Sequence, residues 1–173
     1  MASTLLADVF NRNANPSSTA RSCRVAVAVL PPLRCVWCER LQRRDPAAST
    51  ILAEDEGALI GFAHVIFDED QTWGALLDNI HVADRHRRRG VGSDLLAASA
   101  AAVTDRRGRS GLYLWVREQN AAAQAFYEAC GARRVEIALV TPPRGLPGRL
   151  NGSPRKLRYV WEDVSGVRGY TSK

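Results

Sequence analysis

The sequence predicts an α/β (α+β) domain: a mixed sheet with helices on its faces. Three observations predict it. Apolar residues recur with a period of two or of 3.6 in alternating blocks, in the order β-β-β-α-β-α-β-β. One short helix is bracketed by Asn120, a capping residue, and Gly131, suited to a left-handed stop. A strand runs into a helix through a junction that concentrates arginine and glycine, from Asp84 to Gly92.

The elements follow in order. Residues 1–20 are polar and predict a flexible segment, residues 21–165 a single domain, and residues 166–173 a tail. Within 21–45, Trp37 and Leu41 suit a helix ending before Pro46. Residues 51–53 read as a short strand, Asp55-Glu56-Gly57 as a turn, and residues 58–67 as its hairpin partner. Residues 76–82 form a third strand. Val91, Leu95, Ala98, Ser99 and Ala102 recur at helical spacing, and Gly108 marks the stop. A strand over 112–116 precedes a helix over 121–130. In that helix Ala122, Phe126 and Ala129 are the expected buried stripe, and Tyr127, about 100° round from Phe126, turns toward a cleft. Residues 135–140 and 157–161 are the last strands, separated by a Pro/Gly-rich loop over 141–154.

Composition excludes several classes. The chain has 173 residues, 46% hydrophobic and 24% charged, enough for a core. No apolar run is long enough to cross a bilayer, and the start lacks the basic-then-apolar pattern of a secretory signal, so a cytoplasmic protein is expected, with no membrane partner. Cys23, Cys35, Cys38 and Cys130 are too sparse for a disulfide scaffold. The lone Cys35-Val-Trp-Cys38 has no second pair beside it, so no metal site is expected. The net charge of +6 admits an anionic partner, either nucleic acid or a phosphorylated cofactor. Arg85 to Arg89 lack the interleaved aromatics of single-strand binders, and no nucleic-acid partner is expected.

The junction carries the chemistry. A helix start exposes unpaired N–H groups and the positive end of its dipole. Gly90 and Gly92 let an anion approach that backbone, and Arg87, Arg88 and Arg89 add attraction. The reading is a pyrophosphate cradle; a solvated basic loop capping a helix uses the same residues. No Gly-Lys-Ser/Thr follows, so it is not a Walker A loop, and Leu95 stands where a dinucleotide fingerprint needs its third glycine.

Arg87-Arg88-Arg89-Gly90-Val91-Gly92 resembles the R/Q-x-x-G-x-G/A motif of the GNAT acetyltransferases. Asn120 to Gly131 resembles that family's N-x-x-A-x-x-F/L-Y-x-x-x-G segment. The resemblance covers residues 50–161 and implies the GNAT fold, with a mixed, mostly antiparallel central sheet flanked by helices. It implies acetyl-CoA as cosubstrate. Arg87, Arg88, Arg89, Gly90, Val91, Gly92 and Ser93 would hold the pyrophosphate. Ile80, His81 and Val82 would pair with the pantetheine arm and offer an oxyanion donor. Asn120 would contact the cofactor, and Tyr127 would be the general acid beside the sulfur.

The base is sought near the same strand. Strand alternation puts Asp78 on the face of Ile80 and Val82, with His81 opposite. The resemblance makes Asp78 a base or substrate contact; His64 and Glu118 are further options. Trp115 stands where protein N-terminal acetylases often carry Glu. Ser22 to Val27 resembles the segment that borders the acceptor pocket, with Cys23 and Val27 in place of aromatics. The implied activity is N-acetylation of a small-molecule primary amine. A protein or peptide amine, or a non-catalytic acyl-CoA-binding module, is the alternative, and a homodimer is open.

Overall fold

A computed structural model describes residues 45–106, 111–140 and 152–168. The expected flexible segment, the 21–45 helix, Cys23, Cys35, Cys38, the Gly108 stop, most of the 141–154 loop and most of the tail lie outside the described residues. Six strands form one sheet in the order β1-β2-β3-β4-β6-β5: β1 Ala48–Asp55, β2 Ala58–Asp70, β3 Gly74–Val82, β4 Leu112–Arg117, β5 Arg133–Leu139 and β6 Arg155–Trp161. Every pairing is antiparallel except β3 with β4. Helices α1, Val91–Thr104, and α2, Ala121–Ala129, complete the described architecture with two short 3-10 turns, Asp84–His86 and Val164–Gly166. The expected mixed, mostly antiparallel sheet is present, and each expected strand from residue 51 onward is found with its ends moved by a few residues.

Local chemistry explains the connections. Glu56 and Gly57 both have positive φ (50° and 80°), so they form the two-residue turn whose twist suits a hairpin. At the next turn the Asp70 carboxylate accepts hydrogen bonds from the Thr72 and Trp73 amides at 2.7 and 3.0 Å. The Asn120 side chain accepts the Ala123 amide at 3.1 Å and caps α2. At the other end Gly131, at φ 92°, donates to Glu128, and Ala132 donates to Tyr127. Together these are the two bonds of a Schellman stop, as the Asn120 and Gly131 signals led one to expect.

Both helices pack on the same sheet face. Strand parity sends Ala63, Val65, Leu112, Leu114, Leu157 and Tyr159 to that face, where they meet Leu95 and Leu96 of α1 and Tyr127 and Cys130 of α2. Burying each such Leu or Val contributes about 1.5–3 kcal/mol, so this one layer carries most of the hydrophobic stabilisation. Among the described residues no helix covers the other face.

Two expectations are corrected here. The buried residues of α2 and its cap are Tyr127 and Cys130, with Ala123 and Phe126 partly buried beside them, whereas Ala122 and Ala129 are exposed. Phe126 and Tyr127 are neighbours on the helix, and the sheet under α2, with Trp161 on it, takes the tyrosine. The face of Asp78 is also not set by alternation. Asn79 pairs with His64 but Leu77 pairs with Val65, so Asp78 is the extra residue of a bulge. Leu77 and Ile80 lie on one face although three apart, because the bulge absorbs the odd residue.

Candidate active site

The sheet opens in its middle. Strands β3 and β4 pair only at Ala75 with Leu112 and Leu76 with Tyr113. Beyond that, β3 follows β2 as far as Val82, and β4 follows β6 as far as Arg117. The closed end is held by backbone against backbone. A Cβ on Gly74 would lie 2.5 Å from the Gly111 oxygen, and one on Gly111 would lie 2.6 Å from the Trp73 oxygen. The Ala75 amide donates to that same Gly111 oxygen at 3.0 Å. From this vertex two strands of a twisted sheet diverge, leaving a wedge. Among the described residues, 77–82 thus form an inner strand with no strand partner on the β4 side. Such an edge offers N–H and C=O groups to an extended ligand by the same rule that joins strands. Ile80, His81 and Val82 all lie along it. Ile80 and Val82 are half-buried on the helix face, and His81 is exposed on the other, its ring 5.9 Å from Phe62.

The basic junction closes the open end of the wedge. Gly90, the residue before α1, has φ 87°, and a Cβ built there meets nothing within 4 Å. Conformation therefore requires glycine there, and the space outside the helix start is open. Gly92 differs: its Cβ would contact the Phe126 ring at 3.6 Å and a Val82 methyl at 3.8 Å. Its smallness brings α2 and β3 against the first turn of α1. Val91 and Ser93 are buried, so they present backbone rather than side chain. Arg87 is partly committed, pairing with Asp84 at 2.8 Å and reaching the Val82 carbonyl at 3.5 Å. Arg88, at φ 58°, and Arg89 are exposed and carry no ion pair among the described residues. The main-chain amides of the α1 start therefore lie beside the exposed Arg88 and Arg89, while Arg87 ties the loop to β3.

Helix α2 borders the wedge. Tyr127 is 7% exposed and lies edge-on to Phe126 and Trp161, with ring centroids 5.1 and 6.2 Å away. Burial, with Cys130 beside it, pushes its phenol above the ordinary tyrosine range. The hydroxyl therefore keeps its proton at any pH where the protein works, as a hydrogen-bond donor must. Burial likewise lifts the Cys130 thiol to about 11, so it stays an inert thiol.

The other candidates separate. Glu118, at the end of β4, is tied to Ser153 and to Arg155, and the Ser153 hydroxyl holds its carboxyl below the usual range, which suits an ion pair and not a base. His64 is buried, with Nδ1 2.8 Å from the Thr50 hydroxyl of β1. Asp78 lies at the wedge in the bulge of β3, where it acts electrostatically on the Tyr113 phenol. Thus Ile80 to Val82, Asp78, the 87–93 segment and Phe126 lie along or beside the wedge, Tyr127 is buried next to Phe126 and against Trp161, and Glu118 and His64 are engaged in contacts of their own.

Sequence reasoning missed a cluster on the face away from the helices. Arg158 of β6 pairs with Asp70 at 3.1 Å and lies 3.0 Å from a Glu136 oxygen, out of line for a hydrogen bond. Its guanidinium covers the rings of Tyr113 and Trp115 at 5.0 and 4.6 Å, and Lys156 lies 4.1 Å over Trp115. Period-two alternation already put Tyr113 and Trp115 on one face; their partners depend on β6 lying beside β4, which no local pattern announces. Among the described residues no His, Cys, Asp and Glu cluster is arranged to hold a metal, and no helix is long and apolar enough to cross a membrane.

Comparison with known proteins bears on this geometry. The sequence model of the Acetyltransferase (GNAT) family matches residues 20–132. Nourseothricin acetyltransferase is 26% identical over 66% of this chain and 65% of its own, with a TM-score of 0.52. The ribosomal-protein-S18-alanine N-acetyltransferase from Escherichia coli is 26% identical over 68% of each chain, with a TM-score of 0.51. A GNAT family acetyltransferase from Elizabethkingia anophelis with acetyl-CoA bound shares the fold at 16% identity, over 66% of this chain and 75% of its own, with a TM-score of 0.57. No curated protein matches the sequence.

Proposed function

Because the chain belongs to the GNAT acetyltransferase family, matched over residues 20–132, we propose that it transfers the acetyl group of acetyl-CoA to a primary amine on a small molecule. The observation that carries this is the wedge between β3 and β4, open beside a helix start that needs glycine at position 90. An extended arm fits the unpaired edge of β3, and a diphosphate fits the exposed amides from Gly90 to Ser93. Arg88 and Arg89 add charge at the rim, while Asn120 serves first as the α2 cap.

Acetyl-CoA, when bound, supplies an acetyl carbon activated as a thioester. The residues of the chain do the rest. Backbone N–H groups among Ile80, His81 and Val82 stabilise the negative charge that develops on the carbonyl oxygen. The amine arrives as an ammonium with a pKa of about 10.4, so a proton must leave before attack. Asp78 accepts it, directly or through water. The nitrogen then forms the C–N bond as the C–S bond breaks. Tyr127 gives its phenolic proton to the departing sulfur, and solvent restores it. Holding both reactants along one wedge supplies much of the remaining acceleration. A small acceptor is favoured over a protein amine because Trp115, with two cations stacked on it, fills a position beside the wedge.

Calorimetry with CoA, then thiol release from acetyl-CoA across an amine panel, tests the reading. Tyr127→Phe should lower turnover about 10²-fold or more while CoA affinity stays within about twofold. Equal turnover would remove Tyr127 from the acid role, and a folded protein giving no heat with CoA would end the assignment.

A further inference from the structure

Resting on the acetyl-transfer reading, we infer that the chain carries an acceptor of its own: Lys156 takes an acetyl group from acetyl-CoA bound in the wedge of the same molecule. Of the 24 lysines and arginines only Lys156 and Lys173 are lysines, so the chain offers a thioester two side-chain amines. The strand register puts one of them beside the wedge. Lys156 of β6 pairs with Arg117 of β4, so it shares a face with Arg117 and, by alternation, with Trp115. Its ammonium lies 4.1 Å over the Trp115 ring, nearer the vertex than its own partner Arg117. The side chain therefore runs over β4 and inward along that arm of the wedge. Trp115 itself stands just past Tyr113, the last β4 residue paired to β3. Among the described residues β4 has no strand on its far side there, so the wedge begins within one strand spacing, about 4.8 Å.

The surroundings leave this amine available. Lys156 is partly buried, which narrows where its amine can be, and it makes no ion pair among the described residues. Arg158, over the same ring at 4.6 Å, takes Asp70 and Glu136 instead. A gap between strands opens to both faces of a sheet. The helices take one face, and Lys156 stands on the other, beside β4. The step is that of any amine acceptor. The ammonium gives a proton to Asp78 or to water. The Nζ atom then forms a C–N bond to the acetyl carbon as the C–S bond breaks, and the sulfur leaves as the CoA thiol with the Tyr127 proton. An amide is not a thioester, so Lys156 ends the reaction and is no intermediate on the way to a free amine. Holding amine and thioester in one molecule favours this transfer over attack by a dilute amine from solution. The product lacks one of the two cations on Trp115.

The test incubates the intact chain with acetyl-CoA and no added amine, follows intact mass and peptide maps, and measures CoA binding by calorimetry. One acetyl group should appear on Lys156 at least about tenfold faster than on Lys173, which reports uncatalysed acylation. The rate constant should hold over an about tenfold dilution of the protein, as transfer within one molecule requires. Excess CoA should suppress the label on Lys156 and leave that on Lys173. Lys156→Arg keeps the charge and should take no acetyl at that position, while thiol release with free amines stays within about twofold. If CoA binds but Lys156 stays unmodified, both lysines react alike, the rate falls with dilution, excess CoA spares the Lys156 label, or Lys156→Arg loses free-amine turnover, the inference falls and acetyl transfer stands. If CoA gives no heat, the acetyl-transfer reading itself falls and takes the inference with it.

Discussion

Single residues decide how the site is shaped, and glycines show it most clearly. Gly90 and Gly74 both hold positive φ, but only Gly74 is also pressed against another backbone. Gly90→Ala should cost about 1–2 kcal/mol from left-handed strain alone. Gly74→Ala adds a steric overlap with Gly111 and should cost more than about 3 kcal/mol. Urea midpoints of the two variants measure the difference. An equal cost would mean that the Gly74 contact relaxes freely. The role of glycine at these points was legible only in part. Gly90 stood out because arginines and a helix start surrounded it, whereas Gly74 and Gly111 touch across 37 positions of sequence, and no local pattern marks them. Tyr127 and Phe126 were misread for a related reason. Helical spacing says that two adjacent residues face different ways, and only the sheet beneath decides which way is inward.

At the scale of elements, caps and turns were the most readable features because their chemistry is local. Asn120, Gly131 and the Glu56-Gly57 turn act within a few residues of themselves. The Asp78 bulge was invisible because parity counts residues and a bulge breaks the count. The β2–β3 turn offers a test. Burial alone would raise the Asp70 carboxyl, but the Thr72 and Trp73 amides and Arg158 outweigh it and hold its pKa below the ordinary aspartate value. A depressed folded pKa means stabilisation that is complete above the unfolded pKa of about 3.9 and lost as pH falls through the folded value. The urea midpoint should therefore fall between about pH 5 and about pH 2, and Asp70→Asn should show a shallower fall. Parallel pH curves for the two proteins would show that the turn carries no such linkage.

For the whole molecule, the order of elements was readable and their arrangement was not. Period and spacing gave eight elements in sequence, but the neighbour order β1-β2-β3-β4-β6-β5 depends on contacts between distant segments. The wedge follows from that order, since β3 and β4 belong to different antiparallel groups joined only at two residue pairs. If the unpaired edge receives an extended ligand, amide hydrogen exchange in the peptide covering 79–82 should slow by about tenfold or more on adding CoA, while the β1–β2 turn is unaffected. Unchanged exchange at 79–82 in protein that binds CoA would move the ligand elsewhere. Raising the salt concentration should weaken that binding, because Arg88 and Arg89 lie exposed at its rim.

The meeting of Gly74 with Gly111 has a mechanical consequence. Two arms leave that joint, and the one ending at Val82 runs eight residues, about 26 Å at 3.3 Å each. A tilt of about 2° at the joint displaces its tip by about 1 Å, and misplacement on that scale can cost a catalyst about a hundredfold in rate. The alignment of the reactants is thus governed by leverage from a point where no side chain exists to adjust it.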